Sequence, residues 1–390
     1  MFKFEITSRL DKTRSRTGIF HTPHHQLETP EYAIVATDAE FRAVPGKLWQ
    51  ELDCKFLIVN TYHTYTKGLI TKIDQVQGLH NYMNLKDKTI ATDSGGFQIF
   101  SLGFGQKHNV GKLAKSIGNK KDLRTDDASP LEISDEEVSF VYDGKTVKFG
   151  PEKSIDLQHR LGADIIFAFD ECTSPINSKE YTRRSMERTH EWLDRCIGAH
   201  ENHRDKQALF GIIQGGEYQD LREESARIVG SKDVQGFGIG GSFGTFKENL
   251  STVVAWVTSK LPEEKPRHLL GVGQVRDVFE AVQHGVDLFD CVIPTREARH
   301  GMVYTKNGRL PLRKMKHLTE VIEKECGCLS CRERVKFSQI WQMFVEKDPR
   351  GPMYATVHNI QFFTDLMKNI RLAIAKNKLL DLKDRYYKFY

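Results

Sequence analysis

Eight short apolar runs, separated by stretches of helical composition, constrain the fold of this chain more than any other feature. Each run ends in glycine or a polar residue, and they lie at residues 32–38, 56–62, 89–95, 163–171, 209–215, 236–242, 268–273 and 286–294. Strands alternating with helices in this way predict an α/β fold, and eight of them favour a (β/α)8 TIM barrel. A doubly wound open sheet stays open as the alternative, because strand order cannot be read from one sequence.

The stretches between the runs have the pattern of amphipathic helices. In residues 180–199, four apolar side chains fall on one helical face: Met186, Trp192, Leu193 and Cys196. Residues 220–229 have a similar composition.

The segments around the barrel predict three additions to it. Residues 1–31 alternate in polarity and predict an N-terminal hairpin region, which places the barrel itself at 32–300. Residues 301–365 carry a cysteine cluster and predict a zinc-binding subdomain, and 366–390 predict a helical closure. Residues 103–127 are glycine-rich and basic without an apolar period, and they predict a loop over the barrel mouth.

Composition indicates a globular cytoplasmic protein with no membrane span. Charged residues make up 28% of the chain and hydrophobic ones 39%, and no apolar run approaches the ~20 residues that a membrane helix needs. The start of the chain, Phe2 to Glu5, lacks the pattern of a signal peptide. Seven cysteines, an odd number, argue against a disulfide framework.

Basic residues concentrate in the last third of the chain. Residues 296–336 contain eleven Lys or Arg and five Glu, a local charge of +6 that exceeds the +5 of the whole chain. Such clustering favours contacts with phosphate groups, with a solvated basic face as the alternative.

A compact set of cysteines predicts a metal site. Cys326, Cys328 and Cys331 place three thiolates within six residues, and His358 follows 27 residues after the last of them. A Cys3His set binds Zn²⁺ tetrahedrally and leaves no open position for water, so we expect one structural zinc ion. His317 is the weaker candidate for the fourth ligand.

Polar residues at the ends of several runs are the candidates for catalysis. They are Asp93, Asp170 with Glu171, Gln214, Gly240 with Gly241, and Asp290. In a TIM barrel these strand ends meet at one mouth, where active sites are built. For Asp290, which lies just before Pro294, Arg296 and Arg299, the structural alternative is a turn cap or an ion pair with Arg296.

These residue types suit a flat, purine-like ligand. Paired Gly95 and Gly96 let the main chain approach a ligand, and Phe97 offers a stacking surface. Asp170 and Gln214 together present the mixture of acceptors and donors that a guanine edge requires. Two carboxylates on different strand ends also permit double displacement at an anomeric carbon.

Taken together, the motifs resemble those of queuine-type tRNA-guanine transglycosylases. The matching segments run in the same order over residues 60–358: 60–63 (NTYH), 93–98 (DSGGFQ), 150–154 (GPEKS), 161–173 (LGADIIFAFDECT), 211–216 (GIIQGG), 240–241 (GG), 271–273 (GVG), 289–296 (FDCVIPTR) and the cysteine–histidine set.

The resemblance implies a role for each site residue. Asp290 would be the nucleophile that attacks C1′ of the wobble guanosine at position 34, and Asp93 the general acid and base. The base would be bound by Asp93, Ser94, Gly95, Gly96, Phe97, Asp170, Gln214, Gly240, Gly241 and Leu270, with Phe97 and Leu270 on its two faces. The RNA would be contacted by Gly271, Val272, Gly273, Gln274, Val275, Arg276, Asp277, Thr295, Arg296, Glu297, Ala298 and Arg299.

The same resemblance implies the partners. They are a tRNA with a GUN anticodon and a 7-deazaguanine base, either queuine or preQ1. The zinc would support the tRNA and, as in bacterial relatives, a homodimer contact. The chain ends at Tyr390 without the extra domains of archaeal relatives, so we expect the wobble position rather than the D-arm as target.

Three segments depart from the family pattern. Residues 242–246 read SFGTF where bacterial members have LAVGE, and Gly244 in place of valine predicts a wider pocket that accepts queuine directly. Gln274, Val275 and Arg276 replace a Thr/Lys-Pro-Glu sequence in the RNA-contacting segment, and the 103–127 loop is longer than in typical bacterial members.

Two other functions remain to be weighed. One is a catalytically silent subunit that docks tRNA in a heterodimer, although such a subunit is expected to lack the nucleophile or the base, and Asp290 and Asp93 are both present. The other is a relative that exchanges bases in DNA.

Overall fold

The computed structural model describes residues 2–100, 131–175, 177–241 and 249–390, and in it eight strands close into a barrel. The pairings between neighbouring barrel strands are parallel, for example Phe167 beside Phe210 and Asp290 beside Ala33. Numbered in chain order, the barrel strands are β4 (Glu31–Val35), β5 (Phe56–Val59), β6 (Thr89–Thr92), β10 (Ile165–Phe167), β11 (Ala208–Ile213), β12 (Gly236–Ile239), β13 (Arg267–Leu269) and β14 (Leu288–Cys291). The predicted TIM barrel is confirmed, and the open sheet is wrong.

Three small antiparallel sheets accompany the barrel. They are β1 (Lys3–Arg9), β2 (Arg16–His21) and β3 (Gln26–Thr29); β7 (Glu132–Ile133), β8 (Val138–Tyr142) and β9 (Lys145–Phe149); and β15 (Met302–Thr305) with β16 (Gly308–Pro311). The middle sheet was not predicted. Its turn, Asp143-Gly144, has φ of 50° and 70°, the left-handed geometry of a tight hairpin.

Thirteen α-helices have both bounds within the described residues, and residues 96–100 are helical as well. They are α1 (Thr61–Thr66), α2 (Ile70–Gln75), α3 (Leu79–Tyr82), α4 (Pro151–Leu161), α5 (Lys179–His200), α6 (Gln219–Gly230), α7 (Asn249–Thr258), α8 (Val275–Gln283), α9 (Ile293–Arg299), α10 (Leu329–Arg332), α11 (Phe337–Val345), α12 (Arg350–Ala375) and α13 (Leu379–Tyr387). Short 3-10 helices cover Gly46–Glu51, Glu201–His203 and Leu312–Met315.

Local sequence signals fix where these helices begin and end. Asn60 caps α1 by accepting a hydrogen bond from the His63 amide at 2.8 Å, and Ser178 caps α5 through the Tyr181 amide at 3.0 Å. Helix α4 begins with Pro151, whose missing N–H is not needed at the first position, and ends at Gly162 in the left-handed conformation.

Apolar periodicity decides which helix faces are buried. The predicted face of α5 is confirmed, since Met186, Trp192, Leu193 and Cys196 are all buried. Helix α8 buries five residues at helical spacing: Val275, Val278, Phe279, Ala281 and Val282.

The chain divides into two compact units. The first contains residues 1–2, 60–78 and 91–268, and the second residues 3–59, 79–90 and 269–390. Within the second unit the long helix α12 packs against α9, β4 and β15. The predicted domain boundaries after residues 31, 300 and 365 remain a prediction.

The loop at 103–127 and the pocket segment at 242–246 lie outside the described residues. Among the residues that are described, no helix is long and apolar enough to cross a membrane.

Candidate active site

Asp93 follows directly on β6, and the chain that begins α1 holds its carboxylate. Its Oδ1 accepts hydrogen bonds from the Thr61 amide at 2.9 Å and the Gly95 amide at 3.1 Å, and its Oδ2 accepts from the Asn60 side chain. The hydroxyl of Thr61 also donates to the Asp93 carbonyl at 2.6 Å. With both oxygens accepting from N–H donors, the carboxylate is fixed in orientation.

Asp170 and Gln214 form a buried pair at the carboxyl ends of β10 and β11. Gln214 Nε2 donates to Asp170 Oδ2 at 2.6 Å, and Ser94 Oγ donates to Asp170 Oδ1 at 3.2 Å. Burial raises the pKa of Asp170 to about 6, although the hydrogen bonds from Gln214 and Ser94 act in the opposite direction. Across the described part of the chain, Gln214 Oε1 finds no hydrogen-bond partner, and Gln214 is only 1% exposed.

Glycines make room for this pair. A Cβ on Gly241 would lie 2.2 Å from Gln214 Oε1, and a Cβ on Gly96 would lie 2.7 Å from the Asp170 carbonyl. Any side chain at either position would therefore displace a residue of the pair. The ring of Phe97, which follows Gly96, is 45% exposed and so is available for stacking.

Gly240, one of the residues expected to bind the base, has its main-chain amide engaged in a hydrogen bond of the barrel sheet. Its amide donates to the Ile213 carbonyl at 3.1 Å, in the hydrogen-bond ladder between β11 and β12. The second glycine, Gly241, has φ of +82°, which is a left-handed conformation that glycine adopts readily.

Asp290 lies on β14 and is half-buried between two buried neighbours, Phe289 and Cys291. Its Oδ1 accepts a hydrogen bond from the Gly271 amide at 3.1 Å. Gly271 has φ of +72° and follows Leu270, which is half-buried. A Cβ on Gly273 would lie 1.9 Å from the Tyr32 hydroxyl, so this segment packs closely at the end of the barrel strands.

The predicted RNA contacts separate into exposed and buried residues. Gly271, Gln274, Arg276 and Arg296 are exposed, and Val272, Asp277, Glu297 and Arg299 are half-buried. The side chains of Val275, Thr295 and Ala298 are buried, as is Gly273, because they occupy the inner faces of α8, α9 and the turn before α8. Their contact with RNA stays a prediction.

Two arginines of α9 give this surface a positive charge. Arg296 and Arg299 are one helical turn apart, and neither forms an ion pair with any residue in the described ranges. Burial, the charge of Arg42 and the charge of Arg296 lower the pKa of Arg299. A cluster of guanidinium groups that repel one another is a place where an anion binds favourably. Arg276 differs, since it lies over the Tyr387 ring at 4.9 Å and donates to the Tyr387 carbonyl at 3.0 Å.

The four predicted metal ligands lie together. The Sγ atoms of Cys326, Cys328 and Cys331 are each 3.6 Å from His358 Nδ1. A tetrahedral zinc ion with Zn–S near 2.3 Å and Zn–N near 2.1 Å requires a sulfur–nitrogen separation of about 3.6 Å. The residues therefore fit a metal of this kind, and the alternative ligand His317 is exposed and outside the cluster.

Neighbouring groups orient the His358 ring and favour the thiolate form of Cys331. His358 Nε2 donates to the Tyr304 carbonyl at 2.8 Å, which leaves Nδ1 to face the three sulfurs. Hydrogen bonds from Cys326 and then Cys328 lower the pKa of the Cys331 thiol, which favours the thiolate that a metal requires. Ala298, Leu312 and Ile340 belong to the apolar cluster that surrounds the cysteines.

Asn359 connects this centre to the chain that follows Asp290. Its Nδ2 donates to the carbonyls of Pro294 at 2.9 Å and Met302 at 3.0 Å, and its Oδ1 accepts from the Tyr304 amide at 3.0 Å. Asn359 is fully buried and was not predicted from the sequence.

Comparison with known proteins agrees with this geometry. The family model for queuine tRNA-ribosyltransferase matches residues 11–390. The chain belongs to the queuine tRNA-ribosyltransferase family. The resemblance predicted from sequence is confirmed, and with it an enzyme of the tRNA-guanine transglycosylase class, a pentosyltransferase.

Relatives of similar length come from both bacteria and archaea. The chain is 40% identical to the queuine tRNA-ribosyltransferase of Halothermothrix orenii, with 99% of this chain and 97% of the relative covered. It is 38% identical to the putative queuine tRNA-ribosyltransferase of Archaeoglobus fulgidus, with 99% of each covered. The enzyme of that name from Staphylococcus haemolyticus is also 38% identical, over 99% of this chain and 96% of the relative.

Sequence reasoning missed the residues that hold the catalytic candidates in place. Asn60 and Thr61 bind Asp93, although the motif that contains them was recognised. Glu171, which the sequence singled out beside Asp170, is buried and accepts from Arg188 Nη1 at 2.5 Å and from the Tyr181 hydroxyl at 2.7 Å. Glu171 is therefore a structural partner of α5.

Proposed function

We propose that this chain exchanges guanine at the wobble position 34 of GUN-anticodon tRNAs for a 7-deazaguanine base. The exchange proceeds by double displacement, with an ester between Asp290 and ribose as the intermediate. The observation that carries the proposal is the Oε1 atom of buried Gln214, which lies beside the Asp170 carboxylate and has no hydrogen-bond partner among the residues that the structure describes.

A guanine-like base would satisfy that acceptor. A buried polar atom without a partner costs free energy, which a ligand N–H recovers on binding. Guanine presents N–H groups at N1 and at its exocyclic amine, next to the O6 acceptor. Asp170 and Gln214 would accept hydrogen bonds from these N–H groups, and the Gly241 amide would donate to O6. Phe97 and Leu270 would cover the two faces of the ring.

The chemistry divides between two carboxylates. An Asp290 oxygen attacks C1′ of the ribose, the C1′–N9 bond breaks, and protonated Asp93 gives its proton to the departing guanine. Asp93, now ionised, then takes the N9 proton of the incoming base. N9 attacks C1′, the ester bond breaks, and Asp290 is released as a carboxylate.

The remaining residues would position the RNA. Arg296 and Arg299 on α9 have the charge to bind phosphates of the anticodon loop, and the exposed residues Gly271, Gln274 and Arg276 extend the same surface. Zn²⁺ held by Cys326, Cys328, Cys331 and His358 would act as a structural cross-link that stabilises the segment between α9 and α12.

The proposal also includes queuine as the preferred base and a homodimer as the assembly. Gly244 in place of a bulkier residue favours queuine over preQ1, and a homodimer is expected by analogy with bacterial relatives. Exchange assays that offer guanine, preQ1 and queuine in turn test the preference. Efficient use of preQ1 without reaction with queuine would contradict the wider pocket.

Incorporation of labelled guanine into a tRNA with a GUN anticodon tests the activity. We expect incorporation that is lost when guanosine 34 is replaced by adenosine, and that unlabelled tRNA but not duplex DNA competes. No incorporation into any tRNA, or equal competition by DNA, would contradict the proposed function.

A further inference from the structure

Arg222 on α6 is completely buried, and its guanidinium donates to three main-chain carbonyls. Nε donates to the Gly216 carbonyl at 2.7 Å, and Nη1 donates to those of Ile213 at 3.1 Å and Gly240 at 2.7 Å. These carbonyls lie at the ends of β11 and β12 and in the turn after β11. One side chain therefore ties two barrel strands and a turn together.

The turn after β11 is shaped around this arginine. Gly215 and Gly216 have φ of +130° and +59°, and a Cβ on Gly215 would lie 2.8 Å from the Arg222 amide nitrogen. Helix α6 then starts within four residues, and the Arg222 amide donates to the Tyr218 carbonyl at 3.0 Å. The glycines let the chain fold back closely enough for the guanidinium to reach the strand ends.

The atoms that Arg222 binds are next to the residues proposed to read the base. Gln214 follows Ile213, and Gly241 follows Gly240. The site for a Cβ on Gly241 is 2.2 Å from Gln214 Oε1 and 3.5 Å from Arg222 Nη2. A shift of a few tenths of an ångström in either carbonyl would change the distance between Gln214 and the Gly241 amide.

Arginine is suited to this task for two physical reasons. Buried carbonyls need donors, and a planar guanidinium offers five N–H groups in a fixed geometry. The three rotatable donors of a lysine ammonium diverge from a single nitrogen, so lysine cannot reproduce the fork. Burial lowers the pKa of Arg222 to about 10, which still leaves it charged at neutral pH.

We propose that Arg222 is a positioning residue for base recognition. It does not touch the base, and it sets the spacing between the Gln214 amide group and the Gly241 N–H. This inference rests on the proposed function, and it predicts that loss of the guanidinium fork weakens the affinity for the base more than the affinity for tRNA.

Arg222→Lys, with Arg267→Lys as matched control, tests the inference. Arg267 is also buried and also donates to two carbonyls, those of Leu261 and Pro262 at 3.2 Å each, but it lies at the amino end of β13. We expect Arg222→Lys to raise the KM for free guanine by about tenfold or more, because small misplacements of binding groups are costly. The Kd of Arg222→Lys for tRNA should stay within about twofold of wild type. For Arg267→Lys, the KM for free guanine and the Kd for tRNA should both stay within that range.

An unchanged KM for guanine in folded Arg222→Lys would overturn the inference, as would an equal rise in Arg267→Lys. If Arg222→Lys does not fold, Arg222→Gln, which keeps two donors without a buried charge, takes its place. Failure of both to fold would also overturn it and assign Arg222 to folding alone. Absence of exchange by the wild-type enzyme would instead contradict the proposed function.

Discussion

Gln214 gives its amide hydrogen to Asp170 across 2.6 Å, and this one contact fixes which atom of Gln214 faces away as an acceptor. Because burial raises the pKa of Asp170 to about 6, its charge changes within a range that an enzyme assay can reach. The ionised form accepts hydrogen bonds, and the protonated form has lost part of that capacity.

We therefore predict that the KM for free guanine rises as the pH falls from 7 to 5. Asp170→Asn should bind the base weakly at every pH and lose the part of this dependence centred near pH 6. Initial rates of base exchange across the pH range measure both effects, with exposed Asp381→Asn as the control that keeps the wild-type profile. An Asp170→Asn profile that parallels the wild-type one would exclude Asp170 as the titrating group.

Arg296 and Arg299 should contribute to tRNA affinity through charge. Replacing either arginine by Gln removes one phosphate contact, so we expect weaker tRNA binding. The logarithm of the tRNA association constant should also fall less steeply with the logarithm of the salt concentration, by about 0.7 in slope for each lost contact. Filter binding at several salt concentrations measures this slope. Arg350→Gln is the control, because Arg350 already pairs with Asp348 at 2.6 Å. Unchanged slopes in both α9 variants would remove them from the RNA surface.

The metal centre should hold about one zinc ion per chain, as a Cys3His site does. Cys328→Ser and His358→Ala should lose the metal and melt at a lower temperature, because the ligands connect α10 to α12. Cys54→Ala is the control, since this cysteine is buried outside the cluster. Elemental analysis combined with thermal unfolding distinguishes the outcomes, and a full zinc content in His358→Ala would refute the assigned ligand set.

A buried ion pair joins Arg16 at the start of β2 to Asp287, the residue before β14, and should dominate the stability of the N-terminal sheet. Arg16 Nε and Nη2 donate to the two oxygens of Asp287 at 2.9 and 2.6 Å, and both residues are buried. Arg16→Met removes the guanidinium that pairs with the buried Asp287 carboxylate and should lower the free energy of unfolding by roughly 3–5 kcal/mol. Arg350→Met, which breaks an exposed pair, should change the free energy of unfolding far less, because water screens an exposed ion pair.

Denaturant titration measures these differences. The double variant Arg16→Met with Asp287→Leu should recover part of the loss, because it removes both charges together. A loss of equal size in the exposed control Arg350→Met would show that burial of the Arg16–Asp287 pair does not set the effect.

The architecture of the barrel was predictable because its strands are buried on both sides. Each is a short, nearly continuous apolar run, for example Ile165 to Phe167, and polar or glycine residues end it. The sheet formed by β7, β8 and β9 was missed even though its sequence alternates on both sides of Asp143-Gly144. That turn signal was available, and greater weight on it would have found the hairpin.

The catalytic candidates were predictable from their position at strand ends, but their environments were not. Whether the Gly240 amide is free depends on the register between β11 and β12, which no local pattern encodes. The contacts of Arg222 and Asn359 join residues that are 18 and 65 positions apart. Burial of Val275 and Ala298, in contrast, follows from helical periodicity and could have been inferred.

The proposed exchange depends on an ester between Asp290 and the ribose of tRNA. The most direct measurement is recovery of a protein–RNA adduct on a denaturing gel after incubation with a GUN-anticodon tRNA, for wild type, Asp290→Asn and the exposed control Asp381→Asn. We expect an adduct with wild type and the control and none with Asp290→Asn, at unchanged tRNA affinity. An adduct of wild-type yield with Asp290→Asn would rule out Asp290 as the nucleophile.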